Sequence, residues 1–499
     1  CQRLGDDHRT AELVERAGGP MMRKGKFESL RDWIINIPDD ILKNYPNTIG
    51  RLGATYMMLG NVEKGSEYLN KAEIILRETD NSIDISRILV WKSSLNRFLG
   101  RYNLSIKNAN EALNTIVGDD HEAKKILAEA YRELGLVYYQ LGKIKKAFNP
   151  FEKAIGIFKS IDKTKDAALV NIDIGNTSMS AGKYKKAQDH FSDALLILQK
   201  DNNITQKASL LNSMGVIANL RGDYHNALDY YQEALICARE SGYRRMEGFV
   251  LTSLGDLYTD LEAYTLVQEK YAEAHLITKE IRDQYLQNYL GITKASLSRK
   301  ICKHLEAHHQ LDDIKQNIKT SGSNYESGLF FLERGKLFRQ EGKTDEAINM
   351  LEDAVKKFDI GGQRVECACA HLSLAQAYHD DNNIESAIHH VDKGFGISSN
   401  MDSLNPLIHT GREVKEVLRK AQQFSQVNEQ VNNLLDKIRD FEKELPTLQQ
   451  SLYKEKDEIK IFIPGISIQA FGRAHVKRHG KPVTASEFTN QRAVRELFY

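Results

Sequence analysis

The sequence predicts an all-α protein: a superhelical solenoid of helix–turn–helix pairs with a 40-residue period, followed by a small C-terminal β-hairpin segment. Three observations predict it. Glycines recur at Gly135, Gly175, Gly215 and Gly255, and the same step of forty continues to Ala295, Gly335 and Ala375. Eight prolines are few for 499 residues, which favours long uninterrupted helices. From Ile459 the apolar pattern changes to a period of two, that of a half-buried strand.

Each column of the repeat has a physical sense. Seven positions after the first column stand Gly142, Gly182, Gly222, Glu262, Cys302, Gly342 and Asn382. Gly and Asn there supply the permissive backbone that ends the first helix of a pair. A third column, Ala147, Ala187, Ala227, Val267, Ala307, Ala347 and Ala387, is placed where two helices cross. A fourth, Phe151, Phe191, Tyr231, Tyr271, Leu311, Leu351 and Val391, is expected to fill the gap to the next pair. No single pair buries its apolar stripe, but stacked pairs share a continuous core.

The offsets of Gly135, Tyr138, Ala147, Phe151 and Ala154 resemble the tetratricopeptide (TPR) repeat. Its usual period is about 34 residues, so six additional residues fall after Ala154 and its equivalents. RLGATYMMLGNVEKGSEYLNKAEIIL and SSLNRFLGRYNLSIKNANEAL are earlier, less regular units. The segment before the degenerate unit at 285–320 is rich in Tyr and Gln. The expected organisation is therefore irregular helical repeats over 1–118, regular TPR-like repeats over 119–398, a helical linker over 399–458 with Pro446 near a bend, and a β-containing module over 459–499.

Composition narrows the class. Charged residues are 27% and apolar residues 41%, with a net charge of +1, ordinary for a globular protein. No run of eighteen apolar residues exists to span a bilayer. Five scattered cysteines suit a reducing cytoplasm with no disulfide framework. The first residue is Cys, and the start lacks a signal-peptide layout; the chain is expected to be an excerpt of a longer one.

Chemistry-bearing motifs are sparse. EGKTDEA (341–347) holds the GKT of a phosphate loop, but Leu337 stands where that loop needs glycine. His308–His309 and His389–His390 are adjacent pairs that point in different directions on a helix, and Cys367 and Cys369 face different sides. No catalytic residue, metal site or cofactor is expected in this chain. The polar residues of the first helices are the candidate groove: Asn176, Asn212, Asn219, Arg299, Lys336 and Arg339, with Asp256 and Lys300 beside them. Asparagines along a groove grip a peptide backbone or a small polar ligand; solvated surface is the competing reading.

Segment 459–499 carries seven Lys/Arg against two Glu, a net of +5, and a basic module hints at phosphate. IKIFIPGISIQAFGRAHVKRHGKPV reads as strands, with a hairpin turning at His479–Gly480. HGKPV and QRAVRELF (491–498) resemble the opening of the winged-helix DNA-binding domain of SARP/BTAD-type bacterial transcriptional activators. LRDWIINIPDDILKNYP (30–46) is similar to the stretch that opens the TPR-like domain of MalT-like STAND regulators. The resemblance implies the sensor portion of a signal-responsive bacterial regulator. In it a protein, peptide or small-molecule inducer binds the solenoid, DNA binds the completed C-terminal domain, and an ATPase module lies upstream. Arg492 and Arg495 would then stand near the DNA backbone. The rival reading is a protein–protein interaction scaffold with no DNA role, and neither involves a membrane.

Overall fold

The computed structural model describes residues 6–79, 81–199, 203–399, 401–424 and 426–462, with three short strands beyond them. The chain divides into two compact units, Cys1–Asp440 and Phe441–Tyr499. The first begins with α1 (Asp7–Arg23), α2 (Phe27–Ile35) and α3 (Asp39–Leu42). Helical pairs follow: α4 (Pro46–Met58) with α5 (Val62–Arg77), α6 (Ser82–Phe98) with α7 (Tyr102–Thr115), and α8 (His121–Gln140) with α9 (Ile144–Ser160). The regular array continues with α10 (Thr164–Ser180) and α11 (Tyr184–Leu198), α12 (Ile204–Leu220) and α13 (Tyr224–Glu240), then α14 (Arg244–Asp260) and α15 (Tyr264–Ile281). It ends with α16 (Gln284–Lys300) and α17 (His304–Ser321), α18 (Asn324–Gln340) and α19 (Thr344–Gly361), and α20 (Arg364–Asp380) with α21 (Ile384–Ser398). Three helices follow it, α22 (Ile408–Glu413), α23 (Lys415–Phe424) and α24 (Asn428–Phe462). None of the described helices is long and apolar enough to cross a membrane.

The repeat columns carry the geometry expected of them. Every second-column residue has a left-handed backbone, from Gly142 (φ 68°) and Gly182 (φ 74°) to Glu262 (φ 55°), Cys302 (φ 59°) and Asn382 (φ 61°). At each of these turns two amides return to the helix: Gly142 N–H donates to the Tyr139 carbonyl and Lys143 N–H to that of Tyr138. That Schellman closure satisfies carbonyls the ending helix would leave without donors. The third column is buried, with Ala147, Ala187, Ala227 and Val267 all at 0% exposure.

The fourth column differs from expectation. Its rings lie over the first-column glycine of their own pair rather than in the gap to the next. A Cβ built on Gly175 would stand 2.4 Å from Cε1 of Phe191, and one on Gly215 would stand 2.5 Å from Cε1 of Tyr231. The repeats themselves show the rule. Gly135, Gly175, Gly215 and Gly255 face Phe151, Phe191, Tyr231 and Tyr271, whereas Ala295 and Ala375 are matched by the smaller Leu311 and Val391. A flat ring sits on bare backbone; a methyl group requires a narrower partner.

The array winds tightly enough to touch itself. At the end of α8 the Gln140 carbonyl accepts from Ser323 Oγ at 2.7 Å, 183 residues along the chain, and the Leu141 carbonyl accepts from Asn324 N–H at 3.1 Å. Lys185 N–H, at the start of α11, donates to Asp402 at 2.7 Å. Arg282, just after α15, pairs with Glu63 at the start of α5. Successive turns of the superhelix are therefore bonded to one another.

In the second unit, α24 continues to Phe462, so positions 459–462 are helical where the alternating pattern predicted a strand, and Pro446 lies inside the helix. The run IKIF alternates in hydropathy, but it directly continues a helix whose backbone bonds are already propagating. The described strands are β1 (Ile466–Gln469), β2 (His475–Arg478) and β3 (Lys481–Pro482). They form an antiparallel sheet in the order β1-β2-β3. Arg478 pairs with Lys481; the predicted turn residues between them, His479 and Gly480, lie outside the described residues. Residues 483–499, including Arg492 and Arg495, lie outside the described residues.

The glycine–ring contact yields a direct test. Gly175→Ala is expected to destabilise the chain by about 1–3 kcal/mol, the range for overpacking a filled core, read as a lower urea midpoint. Adding Phe191→Leu recreates the Ala295–Leu311 combination and should recover part of that loss. Additive losses in the double variant would refute the pairing.

Candidate functional site

Seven alternate helices, α8, α10, α12, α14, α16, α18 and α20, supply the wall of a cavity of about 370 Å³. The contact between the end of α8 and the start of α18 closes this ring. The cavity is thus the lumen of one superhelical turn, lined by the inner faces of the first helices of successive pairs. Its volume lies within the range of small-ligand sites.

The lumen is tyrosine-rich and acidic. Asp256 on α14 accepts from Tyr271 Oη at 2.6 Å and from Tyr289 Oη at 2.8 Å, one hydroxyl to each carboxylate oxygen. Tyr271 is the fourth-column ring over Gly255, so the packing that joins α14 to α15 also aims a hydroxyl at the lumen. Burial pushes the Asp256 carboxyl up to about 7, although both tyrosyl hydrogen bonds favour its ionised form. Glu366 on α20 is likewise raised to about 7, by burial, with Tyr325 beside it. Asn219 on α12 donates to Asp260 at 3.0 Å. Lys300 is the cationic side chain among the cavity-lining residues.

Two orphan atoms stand at this wall. Asn219 Oδ1 and Glu366 Oε2 are buried with no hydrogen-bond partner, and both are acceptors. Asn212, two turns before Asn219 on the same helix, also has an unpartnered Oδ1 but is not among the cavity-lining residues. Asn176 is half-buried on α10 and does not line the cavity.

The basic candidates are held in ion pairs. Arg299 is 1% exposed, and its Nε lies 2.5 Å from Glu333 and its Nη2 3.3 Å from Glu413. Lys336 lies 3.5 Å from the other oxygen of Glu413, and Arg339 is 3.1 Å from Asp380. Burial works against the charge of Glu413, but Lys336, Arg299 and Lys300 outweigh it and hold that carboxyl well below its ordinary range. These three bases anchor the segment that follows the array. Asn405 donates to the Arg221 carbonyl, His409 faces Tyr224, Arg412 pairs with Glu262 and Glu413 closes on Arg299. The segment crosses the ends of α12, α14, α16 and α18 in turn.

The other motifs resolve into structure. Gly342 of EGKTDEA is a left-handed turn residue. His308 pairs with Glu341 at 2.8 Å, while His390 stacks on Tyr378 and lies 3.0 Å from His371, nitrogen to nitrogen. His379, Asp380 and Glu416 bring three potential ligand atoms within 4.8 Å, but Arg339 already neutralises Asp380. A second cavity, of about 950 Å³ near the N-terminal helices, is lined by acids and bases in equal number, some of them paired, such as Arg87 with Glu122 at 2.8 Å and Lys125 with Glu122 at 3.6 Å.

Comparison with known proteins agrees with the fold. Residues 332–393 match the tetratricopeptide repeat. The array is TPR-like. Residues 106–243 match the soluble NSF attachment protein (SNAP) family. No curated protein sequence matches the chain. Among solved structures, a Rap protein complexed with competence and sporulation factor is 15% identical over 76% of this chain and 99% of its own, with a TM-score of 0.47. The Rap conjugation regulator of plasmid pLS20, in complex with the Phr* peptide, is 13% identical over 75% and 98%, at 0.46. Yeast Tom70 is 14% identical over 86% and 99%, at 0.37.

The acidic lumen predicts an inverted pH effect. A carboxyl raised from about 4 in the unfolded chain to about 7 in the fold binds its proton more tightly when folded. It therefore costs stability progressively as pH rises from about 4 to 7. Asp256→Asn removes that cost, so the variant should be more stable than the parent, by about 1 kcal/mol or more at pH 8 and by less at pH 5.5. Chemical denaturation at the two pH values checks this; a gain that does not grow with pH would contradict it.

Proposed function

We propose that this chain is a TPR-like binding scaffold that receives an extended segment of a protein or peptide partner in its lumen. The observation that carries the reading is the closed ring of first helices around a cavity whose wall retains buried acceptors without donors, Asn219 Oδ1 and Glu366 Oε2. An unsatisfied buried acceptor costs about 1–3 kcal/mol, a cost that a bound donor would recover. The outer face offers a different surface: Leu196, Ile236 and Leu276 stand forty residues apart, each more than half exposed.

A photo-crosslinking amino acid placed at Ser253 should capture partner segments, and Asn212→Ala with Asn219→Ala should weaken that capture several-fold while the melting curve stays cooperative. Capture lost on Ile236→Asp but unaffected by the asparagine changes would move the docking surface to the outside.

The finer reading is that the scaffold is the sensor part of a signal-responsive bacterial transcriptional regulator, cytoplasmic and without enzymatic activity or cofactor of its own. What supports it is the antiparallel β1-β2-β3 sheet, in a segment of net charge +5. On this reading a protein extended beyond Tyr499 should bind duplex DNA with an affinity that falls steeply with salt; salt-insensitive or absent binding would leave the scaffold reading alone.

A further inference from the structure

We propose that the lumen is a site for a primary ammonium group carried on a short methylene stem, an inference that rests on the lumen being the binding surface. Three carboxylates, Asp256, Asp260 and Glu366, face one ammonium, Lys300, among the cavity-lining residues, so the wall carries an excess of two acidic groups. The unpartnered wall atoms of Asn219 and Glu366 are both acceptors. An ammonium has three donors and no acceptor, whereas an anion would bring further acceptors and leave both of these atoms without a donor.

The aromatic content points the same way. Tyr139, Tyr231, Tyr271, Tyr289 and Tyr325 all line the cavity, and tyrosine faces attract cations, more strongly once water is displaced. Asp256 is held in place by two of them before any ligand arrives. Met179, Val216, Leu220 and Val365 form the apolar part of the lining and give methylene groups a wall, with serine and threonine hydroxyls between them. The second, larger cavity lacks this character, because seven acidic side chains there are balanced by seven basic ones.

The ammonium group has two sources, a free diamine or the lysine side chain of a partner segment. The probes are therefore cadaverine and a capped Gly-Lys-Gly peptide, titrated calorimetrically into the full chain, with capped Gly-norleucine-Gly as the uncharged control. Asp256→Asn and Glu366→Gln should each weaken amine binding about tenfold or more, the loss expected for a hydrogen bond to a charged group. Binding should also weaken about tenfold between pH 8 and pH 6, since the amine stays charged throughout while the carboxyls take up protons and lose their charge. The groups facing those carboxyls are Asp260 on α14, Tyr231 on α13, Tyr271 on α15, Tyr289 and Lys300 on α16, Tyr325 on α18, Tyr139 on α8, Tyr184 on α11 and Cys369 on α20.

Tighter binding of the lysine peptide than of cadaverine assigns the site to a partner protein; the reverse assigns it to a free amine. Failure of both amines to bind at millimolar concentration overturns the proposal, as does binding equal to that of the norleucine control or unchanged in the two variants. Partner segments still captured at Ser253 in that case would leave the scaffold reading standing, which separates the two failures.

Discussion

The structure depends on the seating of a fourth-column side chain against the first-column residue of its own helical pair, an aromatic ring against bare backbone in the four pairs from α8 to α15. Phe151, Phe191, Tyr231 and Tyr271 each cover a glycine one helix away, and no side chain could be added there without moving the ring. That contact brings the two helices of a pair close together. The left-handed turn residue then fixes where the first helix stops and how the second leaves it. With both settings repeated every forty residues, the pairs stack at a constant angle and the array must wind.

Winding has a consequence that no single repeat contains. The pitch is short enough for the end of α8 to bond to the start of α18, so the inner faces of seven helices enclose a lumen instead of lining an open groove. Enclosure changes the chemistry of ordinary residues. A tyrosine that packs two helices together, Tyr271, also donates to Asp256, and a carboxyl that would be ionised on an open surface is pushed up to about 7. The core and the candidate site share side chains, which ties the site's geometry to the stability of the repeat.

The segment after the array is part of the same construction. Glu413 meets Arg299 and Lys336 in a place that water barely reaches, and such a pair specifies a position more than it adds net stability. Three of the bases expected to grip a partner are committed here, to the protein itself. Their spacing in the sequence is that of groove residues, and nothing local distinguishes a base awaiting an acidic ligand from one answered by a glutamate more than seventy positions away.

The sequence by itself determined the repeat, because periodicity is a local property. Glycine, turn, alanine and ring columns are legible residue by residue, down to Glu262, Cys302 and Asn382 standing in for glycine at left-handed turns. The antiparallel pairing of the HVKR strand was legible too, whereas the alternation in 459–462 was misleading because a helix already under way absorbs four more residues at little cost. Asn219, Asp256 and Lys300 were legible as inner-face polar residues. Tyr289, inside the degenerate unit at 285–320, and Glu366 gave no local signal. What made those two part of one site with Tyr139 is closure of the superhelical turn, which joins residues more than two hundred positions apart. Only the tertiary structure decided that, since contacts at such separations depend on the accumulated angle of every pair between them.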